Sequence, residues 1–185
     1  TYPMLTNSKL SWGAVSIGLH WLTAILVIGL AIVGLIMTEL PTSPTKMQIY
    51  ALHKSFGLTV LALTILRLAW RLMAGNPDDM PNTPKIQAWA AKAVHGFMYV
   101  LLLAIPLSGW LYNSASGFPL RWFGLVNLPK LFTGFNPSIK QFAHETHETL
   151  FYILACLLLI HAGAALWHHY VIRDLTLKRM LGRSL

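Results

Sequence analysis

Four stretches of this chain are apolar and long enough to cross the hydrocarbon layer of a membrane, and this limits the fold more than any other feature. A crossing helix needs about 20 residues, and the stretches run approximately over 19–40, 49–70, 88–112 and 147–170. In hydrocarbon every backbone N–H and C=O must be paired within the protein, which leaves helices or a closed barrel. Runs of this length specify helices. Pro41 and Pro44 close the first run, Gly75-Asn76-Pro77 follows the second, and Pro81 and Pro84 keep the next connection irregular. Pro106 lies inside the third, where it is tolerated if neighbours satisfy the freed carbonyl. The expected fold is all-α: an integral membrane four-helix bundle forming one domain over residues 1–185, with no length left for a separate soluble module. Charged residues make up 11% of the chain, against about 25% in soluble domains, so much of the surface does not meet water.

The net charge is +8, but the cations fall at the ends of the apolar runs, where Lys and Arg anchor helices to headgroups. No aromatic–basic cluster suited to nucleic acid is present. Lys9, Arg67, Arg71, Lys85, Lys92, Arg173, Lys178, Arg179 and Arg183 fall on one side; Lys46, Lys54, Arg121, Lys130 and Lys140 fall on the other. The positive-inside rule then places both termini of a multi-pass membrane protein in the cytoplasm. Residues 1–18 lack the pattern of a cleaved signal, so the first run is expected to be retained. The single cysteine, Cys156, sits in an apolar run as a small hydrophobe, and no Cys-x-x-Cys-His is present for covalent haem.

Ionisable side chains at membrane depth are costly and point to function. His147 and His161 are fourteen residues apart on the fourth run, which in a helix is about 21 Å along the axis and about 40° around it. One helix face therefore offers two ligands at two depths. The first helix starts inside and places His20 at the inner level; the second starts outside and places His53 at the outer level. The pairs that close are His53 with His147 and His20 with His161, four metal ligands for two non-covalent b-type haems. Bis-histidine ligation leaves no open position on the iron and suits electron transfer.

Several other residues carry two readings. His95 shares the level of His20 and His161: it bonds a propionate or a quinone, or it replaces His20 as ligand. His168 follows His161 by seven residues on nearly the same face, and with His169 it is either a proton donor to quinone or a polar helix end. Arg67 and Arg71 share a face and bind either haem propionates or lipid phosphates. Lys54, next to His53, either binds a propionate or attracts an anion. His144 precedes the fourth run and is expected to be solvated. Gly18, Gly57 and Gly163 lie near the ligands and leave room for a macrocycle or for close helix packing. The connection 113–146, with Phe118, Trp122, Phe123, Phe132 and Phe135, is read as a structured cap at the outer interface, either anchoring a loop or facing substrate.

In order along the chain, His20-Trp21-Leu22, His53-Lys54-Ser55-Phe56-Gly57, Arg67-Leu68-Ala69-Trp70-Arg71, Ile105-Pro106-Leu107-Ser108-Gly109-Trp110, His147-Glu148, His161, His168-His169-Tyr170 and Arg173-Asp174 resemble the bacterial cytochrome b561 family. The resemblance covers about 19–181. It implies two b haems on the pairs above and ubiquinone as the inner electron partner. Its best-understood branch is similar to a superoxide oxidase, which oxidises superoxide to oxygen at the periplasmic face and reduces ubiquinone at the cytoplasmic face. That implies an oxidoreductase in which Lys54 attracts the anion and His95 and His168 lie near the quinone, with lipid around it and no obligate protein partner. The competing expectation is a membrane-anchor cytochrome subunit that relays electrons between a hydrogenase or dehydrogenase partner and quinone.

Overall fold

The computed structural model describes residues 4–131 and 133–182. Phe132 of the expected cap and Arg183 of the basic side lie outside the described residues. Four long helices dominate: α1 (Ala14–Glu39), α2 (Pro44–Ala74), α3 (Lys85–Ala115) and α4 (Pro137–Trp167). All four are long and apolar enough to span a membrane. Between α3 and α4 lies a two-stranded hairpin, β1 (Leu120–Trp122) and β2 (Val126–Leu128); after α4 come a π-helical turn (His168–Ile172) and the short α5 (Thr176–Met180).

Each long helix begins before its apolar run because hydropathy marks only the part inside hydrocarbon. The difference is largest for α4, which starts ten residues before His147. Asn136 caps it, its Oδ1 accepting the Ile139 N–H at 3.0 Å, and Pro137 fills the first helical position. Gln141, Glu145 and Glu148 interrupt the apolar run without interrupting the helix, so His144 belongs to α4 and is exposed on it, as expected for a solvated residue. Ser43 and Pro44 start α2 in the same way, and Gly75 ends it at φ 71°.

The close helix pairs are α1 with α2, α2 with α3, and α3 with α4. The buried apolar cluster between the helices is thin: Val60, Leu101, Leu102 and Leu154, with Val27, Leu30 and Leu157 packed against them. Val60 lies seven residues after His53, and Leu154 lies midway between His147 and His161. The core is therefore an apolar plug between the two histidine levels. Large apolar side chains such as Ile25, Ile32, Leu159 and Ile160 point outward; that is wrong for water and right for lipid.

The two ends of the bundle are finished differently. At one end the hairpin turns through Phe123 (φ 47°) and Gly124 (φ 71°), with the Leu125 N–H bonded to the Trp122 carbonyl at 2.9 Å. Two successive positive φ values are the signature of the type I′ turn favoured in hairpins. The expected cap thus contains a small sheet within an otherwise helical protein. At the other end the N-terminal segment, the α2–α3 link and the C-terminal tail are tied together. Asn7 Nδ2 donates to the Gly75 carbonyl at 2.8 Å, the Asp78 N–H to Lys9 at 2.8 Å, Arg179 to Asp78 at 3.0 Å, and Trp21 Nε1 to Met180 at 2.7 Å. The described N- and C-terminal segments thus share one end of the bundle, as an even number of crossings requires.

Leu154 is 4% exposed at the centre of the plug, so Leu154→Ala should cost about 2–3 kcal/mol. A melting temperature in detergent indistinguishable from that of the unaltered protein would show that the plug does not hold the bundle together.

Candidate functional site

The hairpin-side level joins α2, α3 and α4. His53 and His147 face each other with ring centroids 6.3 Å apart. The His147 ring is fixed by α3: its Nδ1 donates to the Ile105 carbonyl at 2.9 Å and lies 3.1 Å from Ser108 Oγ, which itself donates to the same carbonyl at 2.6 Å. A carbonyl only accepts, so Nδ1 carries the proton and Nε2 keeps its lone pair. A backbone group behind the ring thus sets the tautomer that leaves Nε2 free to bind a metal. Gly109 leaves room for the ring, since a Cβ there would meet His147 Cε1 at 3.3 Å; Gly34 on α1 does the same for His53, also at 3.3 Å. His53 Nδ1 is buried and has no hydrogen-bond partner among the described residues.

The tail-side level joins all four long helices. His20 on α1 faces His161 on α4 with centroids 6.2 Å apart. His95 on α3 stands edge-on to His161 at 5.3 Å. Arg67 Nη2 donates to His20 Nδ1 at 3.2 Å, and the Arg67 and Arg71 guanidiniums lie over the Tyr99 ring at 5.4 Å and 5.7 Å. Arg67 therefore turns toward this level, while Arg71 also reaches the α2–α3 link, its Nε donating to Asn76 Oδ1 at 2.6 Å.

A metal between two imidazoles lies about 2 Å from each nitrogen. A ring built from bonds of about 1.33 Å puts the nitrogen about 1.1 Å from its centroid, so two collinear ligands place their centroids about 6.3 Å apart. The His53–His147 and His20–His161 gaps match that distance, and the His95–His161 gap is about 1 Å too short. Among the described residues no cluster of three or more His, Cys, Asp or Glu could hold a bare ion. A metal at either level would have two protein ligands and must bring the rest of its coordination sphere, as iron in a planar macrocycle does. The helices that carry the paired histidines, α4 with α1 and α4 with α2, are not among the close pairs, which leaves width for such a group.

Below the tail-side level, α4 widens into the π-helical turn and the backbone then bends through Arg173 at φ 60°. This returns Asp174 to His168: His168 Nδ1 donates to Asp174 Oδ2, and Asp174 Oδ1 accepts the Thr176 N–H at 2.9 Å. Gln87 of α3 lies 3.0 Å from His168 Nε2, which is left as the acceptor. Partial burial raises the Asp174 carboxyl, but the bonds from His168 and Thr176 outweigh it and hold the group below the usual carboxylate range. His169 points elsewhere, its ring against Tyr170 and its Nδ1 buried without a partner among the described residues.

At the hairpin end, Lys54 Nζ donates to Asn113 Oδ1 at 2.8 Å. The exposed His144 stacks against Tyr112 at 5.4 Å. Gly18, Gly57 and Gly163 have no atom within 4 Å of an added Cβ, so they do not serve close helix packing. The groups that sequence reasoning missed are Ser108, the Ile105 carbonyl, Gly34, Gly109, Asn113 and the pairing of Asp174. Ser108 and Gly109 follow Ile105 by three and four residues, a helix-face spacing that marks one patch of α3. A backbone carbonyl and a ring-clearing glycine leave no other trace in sequence.

The family described as prokaryotic cytochrome b561 matches residues 11–183. The chain is 34% identical over 180 residues to cytochrome b561 homolog 2 of Escherichia coli (strain K12), covering 97% of this chain and 95% of that protein. It is 34% identical over 169 residues to cytochrome b561 homolog 1 of the same organism, covering 89% and 93%. A protein of Yersinia pestis named as a probable superoxide oxidase is 27% identical over 180 residues, covering 94% and 97%.

Two outcomes follow from the geometry. Gly109→Val should press the His147 ring off its carbonyl and lower the melting temperature by several degrees. Gly29→Ala, where nothing lies within 4 Å, should leave it unchanged or slightly raised; equal effects would mean that the ring is not clamped by α3. For Asp174, a lowered folded-state pKa means that its contribution is present above the ordinary carboxylate value of about 4 and is lost as pH falls through the folded value. Asp174→Asn should therefore speed amide exchange in 173–182 at neutral pH, with the difference from the unaltered chain vanishing in acid.

Proposed function

The chain belongs to the prokaryotic cytochrome b561 family, b-type cytochromes that carry electrons across membranes, and from that premise we propose that it binds two haems and oxidises superoxide at one face while reducing ubiquinone at the other. The observation that carries this reading is the pair of facing imidazoles at each of two depths, 6.3 Å and 6.2 Å between centroids. When bound, a haem at each level supplies a one-electron relay with no open coordination position.

His53 with His147 would hold the hairpin-side group and His20 with His161 the tail-side group. The preset tautomer of His147 supports its role, and the shorter gap of His95 favours His20 over His95 as the partner of His161. A ligating His20 keeps its proton on Nδ1, and a guanidinium has no lone pair to accept it. Arg67 would then release His20 and, with Arg71, bind the propionates as charge-assisted pairs. Neither arginine has a carboxylate partner among the described residues, which suits an anionic group arriving with the cofactor.

The basic tail side faces the cytoplasm in this reading, and the hairpin side faces the periplasm of a bacterial inner membrane. Each superoxide anion gives up one electron near Lys54 and leaves as O2. Two such events supply the two electrons that ubiquinone needs, and its two protons come from the cytoplasmic side. His168, with Nδ1–H committed to Asp174, would take up a proton from the cytoplasmic side at Nε2 and pass it on, and is the group we assign to quinone protonation, with His95 lining the same end. The Yersinia pestis relative supports superoxide as donor by its name.

Purified protein should be red with a reduced b-type band. His147→Ala or His53→Ala should remove about half of that band and His161→Ala the other half; loss of both haems from a folded single variant would break the pairing. Purified protein alone should reduce ubiquinone when supplied with superoxide. Haems that superoxide fails to reduce, but that a hydrogenase or dehydrogenase partner does reduce, would make the chain an anchor subunit instead.

A further inference from the structure

The hairpin end holds a cation whose one hydrogen-bond partner among the described residues is neutral. Lys54 follows His53 directly, and its ammonium has three donors. One goes to Asn113 Oδ1 at 2.8 Å. No carboxylate pairs with it among the described residues, whose ion pairs are Lys92–Asp79 and His168–Asp174. Asn113 is 2% exposed and is used at both ends of its amide, its Nδ2 donating to the Phe118 carbonyl at 3.0 Å. The neighbouring Ser55, 3% exposed, accepts the Phe123 N–H at 2.9 Å. Consecutive residues of α2 thus tie the loop 118–123 over this level, one of them through Asn113.

A carboxylate at position 113 would orient the ammonium equally well and neutralise it. An amide orients it and leaves its charge, with two N–H groups, for another acceptor. Burying an amide on both its hydrogen bonds is costly unless both are made, and here both are made, to the cation and to the loop above it.

We propose that Asn113 is the positioning residue of an anion seat: it holds the Lys54 ammonium beside His53 without neutralising it, and so gives the hairpin face its preference for small anionic one-electron donors. This rests on the electron-entry side of the proposed function but not on superoxide itself. The donor is oxidised by one electron, the haem nearest His53 is reduced by one, and no bond is made to the lysine.

The test uses the haem-loaded protein in detergent and follows haem reduction by stopped flow. The donors are superoxide, the sulfur dioxide radical anion from dithionite, and the methyl viologen radical cation. For Asn113→Asp, both anionic donors should slow by about tenfold and lose most of their ionic-strength dependence, while the cationic donor is unchanged or faster. Asn113→Ala should slow the anionic donors when Lys54 is present and have no effect in a Lys54→Gln background, a coupling that a general packing defect does not produce. Equal slowing of anionic and cationic donors, or unaltered anionic rates in both Asn113 variants, would overturn the seat. Unaltered protein that accepts electrons from the sulfur dioxide radical anion with this charge pattern, but not from superoxide, would overturn superoxide as the donor and support the seat.

Discussion

The bundle depends on how α4 is held. It carries one histidine of each facing pair, yet its main packing partner is neither α1 nor α2, the helices that carry the partners. It is fastened to α3 instead, and the bond from His147 Nδ1 to the Ile105 carbonyl is the point at which packing and chemistry coincide. That bond fixes the ring plane, the proton position and the distance to His53 together. A helix pair packed at the usual 8–10 Å would bring the rings into contact; a pair held apart by a third helix leaves a gap of ligand width.

Charge is arranged around the same two levels. Lys54 stands at one and Arg67 and Arg71 at the other, none with a carboxylate partner among the described residues. At membrane depth an uncompensated cation is expensive, and each is retained with neutral support: an amide for Lys54, and the Tyr99 ring face for the two arginines. Neutral support preserves the positive field for an anion that comes from outside the chain. Carboxylate partners would have stabilised the bundle more simply and removed that field.

Among the described residues, the non-glycine positive φ values fall at the two ends of the bundle, at Asn82, Phe123 and Arg173. Phe123 and Arg173 each lie where the chain turns back over the bundle, Phe123 bringing the hairpin onto Ser55 and Arg173 bringing Asp174 onto His168. Strain of this kind persists only where surrounding contacts over-determine it, and here buried or half-buried hydrogen bonds do so. Between the ends the helices are regular, and a thin apolar plug separates the two histidine levels.

The sequence by itself determined the four helices, their membrane setting and the four histidines that face in pairs. Length of apolar run, helical rise and helical rotation are local quantities, and fourteen residues along one helix is enough to place two rings at two depths. It also placed His95 correctly beside His161, but not the distance that separates its geometry from that of His20. Helix ends were found less well, because polar turns outside hydrocarbon carry no hydropathy signal. Only the tertiary structure decided which groups stand behind the paired histidines and the charged side chains: the Ile105 carbonyl, the glycines that clear the rings, the amide under Lys54 and the carboxylate returned to His168. These depend on which helix lies beside which and at what rotation: His147 meets the Ile105 carbonyl 42 positions away and Lys54 meets Asn113 59 positions away, beyond the reach of any periodicity, while Asp174 reaches back six positions to His168 only because the backbone bends at Arg173.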